Sequence, residues 1–252
     1  NKYLRRISGL FGWAVRHQHL GSNPASGLQY KKKRRPDEER AVYSPENLLG
    51  LQAALVELPD HCHAWQYWTP LVAVYSGMRQ NEIAQLHLDD VDDRDGVLCF
   101  DVNGNSDDKT LKSKAARRLV PIHHDLVDLG FMDYTEDLRR QKKKRVWPDL
   151  TKGRDGYGRA VSRWFSKWRK TWLTPEDLKQ KRDFHSFRHT FDDRLKHAGV
   201  LDVRLPQLMG HSLETDQTFG RYGDLLRPPQ LLEAVKLLDL GFDLDKLRRE
   251  WP

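Results

Sequence analysis

The sequence predicts an α+β fold, mostly helical, in which helices surround one small antiparallel β-sheet. Three observations carry that expectation. Apolar residues recur at helical spacing in most segments. Two short runs rich in strand formers flank one polar, turn-forming stretch. No internal repeat and no glycine-rich phosphate loop appears.

Composition sets the outer bounds. With 252 residues, 38% of them hydrophobic, the chain is long enough to bury a core. Its 31% of charged residues exceeds the roughly 25% of ordinary globular proteins, but 8 Trp, 8 Tyr and 9 Phe argue against disorder. Lys and Arg number 43 against 36 Asp and Glu, and the net charge of +7 favours a polyanionic partner. Cys62 and Cys99 are the only cysteines. They exclude a disulfide scaffold and a cysteine-based zinc site, and they fit a reducing, cytoplasmic compartment. No apolar run approaches the ~18 residues a membrane helix needs, so no membrane association is expected.

Taken in order, Leu4, Ile7, Phe11, Ala14 and Val15 predict a helix over residues 1–20 that stops at Gly21-Ser22-Asn23-Pro24. A lone helix cannot bury its own face, and the chain starts inside this one. It is therefore expected to be a fragment whose first helix packs on an upstream part. Lys31 to Arg35 is a run of positive charge that reads as an exposed linker, either a solvated tether or a strap along a phosphate backbone. Ser44-Pro45 is a helix start, since a hydroxyl caps free N–H groups and proline suits the first helical position. Residues 64–77 form an apolar, aromatic core helix ending near Gly77. The acidic cluster Asp89, Asp90, Asp92, Asp93 and Asp95 lacks the glycine and closing glutamate of a calcium loop and reads as a solvated turn before a strand. Strands are expected over 96–102 and 117–122, with turns over 103–109. Arg139 to Arg145 is basic and expected to be exposed. Val161, Trp164, Phe165, Trp168 and Trp172 share a helical face, which favours a buried core over stacking on bases.

The chemistry concentrates in the segment DFHSFRHTFDDRLKHAG. As a helix from about Phe184, it turns Phe187, Phe191, Leu195 and Ala198 inward, and it groups His185, Arg188 and Asp192 on a neighbouring face, with Gly199 as the stop. His185 and His189 have the spacing of two zinc ligands, but Ser186 stands where a metalloprotease glutamate would be and no third ligand is evident. The competing reading is an oxyanion site, because His185 and Arg188 can both donate to one phosphate. Four further residues extend that reading: Arg79 in SGMRQNEIAQLHLDDV, Lys112 in LKSKAARRLVPIH, His211 in LMGHSLETD and Tyr222 in TFGRYGD.

With their flanking residues, and in this order, these motifs resemble the catalytic domain of the tyrosine recombinase (phage integrase) family over about residues 41–230. The first 28 residues look like the end of that family's core-binding domain. The resemblance implies that residues 1–35 are a remnant of the DNA-binding domain plus a basic linker, and that residues 36–252 are the catalytic domain with its C-terminal helix. It makes Tyr222 the nucleophile on a DNA phosphodiester, forming a 3′-phosphotyrosyl link. Arg79 and Arg188 would grip the non-bridging oxygens, His185 would act as acid/base, His211 would donate to the phosphate, and Lys112 would protonate the leaving 5′-oxygen. Lys114 is the second choice for the lysine, and Lys109 also lies close. Glu82 matches an acidic position that orients the site. No metal or other cofactor is implied.

The interval from His211 to Tyr222 is somewhat longer than usual in the family, the extra residues falling in Leu213 to Asp216. The implied partners are double-stranded DNA attachment sites and, in the synapse, three further copies of the chain, with a monomer off DNA and a nucleoid-associated location. After Tyr222, the spacing of Leu231, Leu232, Val235 and Leu238 predicts a helix, expected to dock on a neighbouring protomer rather than on its own domain. The alternatives are a type IB topoisomerase-like relaxing enzyme and a catalytically silent DNA-binding regulator on the same fold. An RNA-binding module lacks the aromatic motif it would need.

Overall fold

The structure of the protein, a computed structural model, describes residues 2–28, 41–113, 116–154, 156–211 and 225–251. The chain divides into two compact units, Asn1–Glu39 and Arg40–Pro252. In the first, α1 (Lys2–Arg16) ends a turn earlier than the glycine and proline signal suggested. The Asn23 amide donates to the Ser8 carbonyl (3.0 Å) and hydroxyl (3.2 Å), folding the following turn back on the helix. Tyr3, Ile7, Leu10 and Trp13 of α1 are exposed. The basic stretch Lys31 to Arg35, and with it the predicted domain boundary, lies outside the described residues.

The second unit runs α2 (Pro45–Val56), α3 (Ala64–Ser76), α4 (Gln80–Ala84), β1 (Val91–Arg94), β2 (Val97–Val102), β3 (Arg118–Pro121), α5 (His124–Asp128), α6 (Phe131–Arg140), α7 (Gly158–Trp168), α8 (Pro175–Lys179), α9 (Ser186–His197), α10 (Arg204–Met209), α11 (Pro228–Val235) and α12 (Leu244–Leu247). Helices thus dominate, with one antiparallel sheet in the order β1-β2-β3. Ser44 caps α2 as its sequence predicted, accepting from the Asn47 amide at 3.2 Å. The α3 helix is buried on nearly every face, and Trp68, Leu71, Val72, Val74 and Tyr75 have no exposure to speak of. It packs on α9, whose Phe187, Phe191 and Leu195 are likewise buried.

Three local expectations need correction. The acidic stretch is a turn only at Asp95-Gly96, where both residues have positive φ (56° and 78°) and close a hairpin between β1 and β2. Val91–Arg94 is therefore a third strand, which the run of aspartates concealed. The 139–145 run is exposed only in part: Arg139 donates to the Leu88 carbonyl at 3.0 Å and to the Val91 carbonyl, while Arg145 donates to the Ala84 carbonyl at 2.8 Å. Ala198 is exposed at the end of α9 instead of facing inward. On α7, Val161 and Phe165 are buried, whereas Trp164 and Trp168, and Trp172 beyond the helix, are half-buried, with Trp164 stacked on Trp168 at 4.8 Å.

The C-terminal segment also departs from the expectation of docking on a neighbour. It lies on its own domain. The α11 helix packs against β3, β2 and α10, burying Leu231, Ala234 and Val235. Beyond it, the Tyr67 hydroxyl donates to the Leu247 carbonyl, Arg249 donates to the Leu58 carbonyl at 2.9 Å, and Trp251 meets Tyr67, Trp68 and Tyr134. No helix among the described residues is long and apolar enough to cross a membrane.

Candidate active site

Two chain reversals build the site. At the end of α3, Gly77 adopts φ 61°, and a Cβ there would come within 2.5 Å of Phe191, so only glycine allows the α3–α9 contact together with this turn. The chain then buries Met78 and leaves Arg79 as the extended residue that precedes α4. At the end of α10, Gly210 adopts φ 60°, and a Cβ would meet the Arg118 guanidinium at 2.8 Å. Each reversal presents carbonyls that arginines grip.

Arg188, buried on the first turn of α9, donates to the Gly77 carbonyl at 2.7 Å, to the Met209 carbonyl, and at 3.3 Å to His211 Nε2. Guanidinium has no acceptor, so Nε2 of His211 must be the unprotonated nitrogen and Nδ1 carries the hydrogen. Arg79 Nη2 reaches the Gly210 carbonyl at 3.5 Å. Arg79, Arg188 and His211 therefore meet at three consecutive residues, Met209, Gly210 and His211.

Behind them, Glu82 is buried and accepts from the Arg79 backbone (2.9 Å), from Arg79 Nη1 (2.7 Å) and from Arg118 Nη2 (2.9 Å). Arg118 is further fixed by the Leu208 and Ala116 carbonyls, at 2.6 and 2.8 Å. No sequence motif named above singles out Arg118. Its place as a third arginine of the cluster depends on β3 lying beside α10, which no local pattern reveals.

Three guanidinium groups against one carboxylate leave the cluster in positive excess. Burial, with Arg79 and Arg118 adding to it, pushes the Arg188 pKa down to about 9. Burial, then Arg188 and Arg79, hold His211 below the ordinary histidine range, so it is neutral at pH 7. An anion brought here would relieve that strain; at 4 Å and an effective dielectric near 20, one ion pair is worth about 4 kcal/mol. Burial alone would raise the Glu82 carboxyl, but Arg118 and then Arg79 outweigh it and hold it below the usual carboxylate range.

Its stabilising effect is thus complete above the ordinary carboxyl pKa and is lost as pH falls through the depressed value. Glu82→Gln is expected to cost about 3 kcal/mol at pH 7, because it strands the buried Arg118 charge. Urea unfolding should show the gap between variant and parent narrowing as pH is lowered through the acidic range.

The remaining predicted residues are placed as follows. His185 precedes α9, half-buried, with its ring edge-to-face on His189 at 5.0 Å. Among the described residues, no third His, Cys, Asp or Glu groups with this pair to form a metal-like set. Lys112 is exposed on the loop between β2 and β3. Lys109 is buried and committed to Asp90, with both carboxylate oxygens at 2.6 Å, and to Asn103, which leaves it unable to reach a ligand. Lys114 and Tyr222 lie outside the described residues, as does the Leu213 to Asp216 insertion. On the far side of that stretch, Gln207 of α10 holds Leu226 by both its backbone groups, donating to the carbonyl at 2.8 Å and accepting from the N–H at 3.0 Å.

Known proteins resemble this chain in sequence and in fold. The chain is 26% identical over 265 residues to the tyrosine recombinase XerC-like protein of Caldanaerobacter subterraneus, covering 95% of this chain and 64% of that protein. It is 23% identical to IntQ of Escherichia coli (strain K12), a protein whose name marks it as defective, covering 88% of this chain and 59% of IntQ. The chain thus spans about three fifths of the length of these relatives. In fold it is similar to lambda integrase in a dimer bound to a core site, with a TM-score of 0.56 at 18% identity over 89% of this chain and 61% of that one. The sequence profile of the phage integrase family matches residues 51–225. With that match covering most of the second unit and the arginine cluster inside it, the chain belongs to the phage integrase family.

Proposed function

We propose that this chain is the catalytic part of a site-specific DNA recombinase, which cuts and rejoins strands through a 3′-phosphotyrosyl intermediate. The observation that carries the reading is the convergence of Arg79, Arg188 and His211 on one turn, with positive charge in excess and Glu82 fixing it from behind. A phosphodiester repels nucleophiles, and enzymes lower such barriers by roughly 8–23 kcal/mol. Arg79 and Arg188 stabilise the negative charge that grows on the non-bridging oxygens, and each such donor contributes about 3–4 kcal/mol.

Tyr222 supplies the attacking oxygen. A free phenol has a pKa of about 10, so ionising it at pH 7 costs about 4 kcal/mol. His185 takes the phenolic proton, and neutral His211 uses its Nδ1–H as a donor to the phosphate. Lys112 returns a proton to the departing 5′-oxygen. The phosphotyrosyl bond replaces the phosphodiester it breaks, so an incoming 5′-hydroxyl can reseal the strand without another energy source. The positive charge comes from side chains, and the scheme invokes no cofactor.

The partner is double-stranded DNA at attachment sites, and the working assembly is a tetramer formed on it, with a monomer off DNA. Lambda integrase has been seen as a tetramer on a Holliday junction, and the fold similarity supports carrying that assembly over. On the same reading, residues 1–35 are the end of a DNA-binding domain with its linker, and the protein works in the cytoplasm at the nucleoid. The test is covalent capture. A nicked duplex taken from the boundaries of the DNA element that carries the gene should trap the protein as a denaturation-resistant adduct, with or without chelator. Noncovalent binding should weaken steeply with salt, as counterions are released from the phosphates. Relaxation of plasmids lacking the site, with no capture on the boundary duplex, would favour a topoisomerase instead.

A further inference from the structure

The α4 helix has only five residues, yet its side chains, with that of Gln85 just after it, hold both feet of the loop that carries Lys112. On the β3 side, Glu82 binds Arg118 at 2.9 Å, and Arg118 in turn holds the Ala116 carbonyl at 2.8 Å. On the β2 side, the Gln85 amide grips Thr110 by both backbone groups, accepting from its N–H at 3.0 Å and donating to its carbonyl at 3.1 Å. Asn81 donates to Gln85 at 3.0 Å, which orients the Gln85 amide, and to the Thr110 hydroxyl at 3.3 Å.

The two residues before Thr110 are also fixed. Lys109 is buried against Asp90 and Asn103. Asp108 accepts at 3.0 Å from each of His87, Arg145 and Tyr157. The anchored segment thus ends at Thr110, and Lys112 follows two residues later, exposed. A two-residue span limits the Lys112 Cα to within about 7 Å of the Thr110 Cα. Arg79 immediately precedes the same helix, so the proposed phosphate-gripping arginine and the root of the lysine loop flank one short element.

Resting on the reading of Lys112 as the proton donor, we propose that Gln85 is a positioning residue, which sets the reach of Lys112 to the leaving 5′-oxygen by clamping Thr110. The clamp is aimed at one step: the P–O bond to the 5′-oxygen breaks, the bond from phosphorus to the tyrosine oxygen forms, and the lysine proton moves to the departing oxygen. Its loss should therefore impair leaving-group protonation and spare attack.

The experiment uses the nicked duplex with its cleavage position mapped by covalent capture, and the same duplex with sulfur replacing the bridging 5′-oxygen there. A thiolate leaves without protonation, so the sulfur substrate bypasses the lysine. Gln85→Ala should slow cleavage of the all-oxygen duplex by about 10²-fold, the cost of misplacing a catalytic group by about 1 Å. On the sulfur duplex it should run within about twofold of the parent, a rescue that also proves the variant folded. Gln85→Glu, which keeps the acceptor and loses the donor, should show the same pattern with a smaller loss.

Equal slowing on both duplexes by a folded variant overturns the positioning role, as does failure of both variants to fold, which would make Gln85 purely structural. Lys112→Ala is the control for the underlying reading. If sulfur fails to rescue it, Lys112 is not the donor. If sulfur rescues Lys112→Ala but not the Gln85 variants, the donor stands and the clamp falls.

Discussion

Tyr222→Phe is expected to abolish the covalent adduct outright while leaving noncovalent DNA binding within about twofold of the parent, since affinity comes from many charged phosphate contacts and one neutral hydroxyl adds little to them. The size of the effect follows from the chemistry. Removing any other site residue weakens stabilisation of a reaction that still occurs, whereas phenylalanine has no oxygen to form the ester. Gel shift and denaturing gel, run on the same nicked duplex, separate the two properties. An adduct of undiminished yield from Tyr222→Phe would reassign the nucleophile. Loss of binding along with the adduct would mean that the substitution disturbs the fold.

The second large effect is expected at Arg188. Arg188→Ala should reduce the cleavage rate by about 10²–10³-fold through loss of a transition-state donor. It should also lower stability, because Arg188 joins α3 to α10 through the Gly77 and Met209 carbonyls, and buried acceptors left unpaired cost about 1–3 kcal/mol each. Arg188→Lys separates the two roles. One ammonium can occupy the charge but cannot span both carbonyls and His211 with a planar fork. The lysine variant should recover only the share of the unfolding free energy that comes from the one carbonyl it can still reach, and little of the rate. Single-turnover cleavage and urea unfolding measure the two. Recovery of rate with stability would show that Arg188 acts as a bare charge.

What the sequence revealed about this site depended on whether the signal was local. Helix starts and stops were legible because capping is decided within four residues, as at Ser44 and Gly77. Arg79, Arg188 and His211 were legible because motifs fix their neighbours, and the fold then brings residues more than a hundred positions apart to one turn. β1 was hidden because only Val91 of its four residues is buried, so the strand lacks an apolar alternation. The Asp95-Gly96 pair was the signal that would have exposed it. Choosing among the lysines needed burial: Lys109, next to Lys112 in the same polar stretch, turned out to be locked onto Asp90. The landing place of the C-terminal segment was unreadable, because the amphipathic spacing of Leu231 to Leu238 says only that one side must be covered.

The grip of Gln207 on Leu226 sets a leash length. Tyr222 precedes Leu226 by four positions, so its Cα can lie no further than about 14 Å from a point anchored only two residues of α10 away from a carbonyl that Arg188 holds. On the proposed function, a hydroxyl on so short a leash is expected to strike the strand gripped by its own subunit.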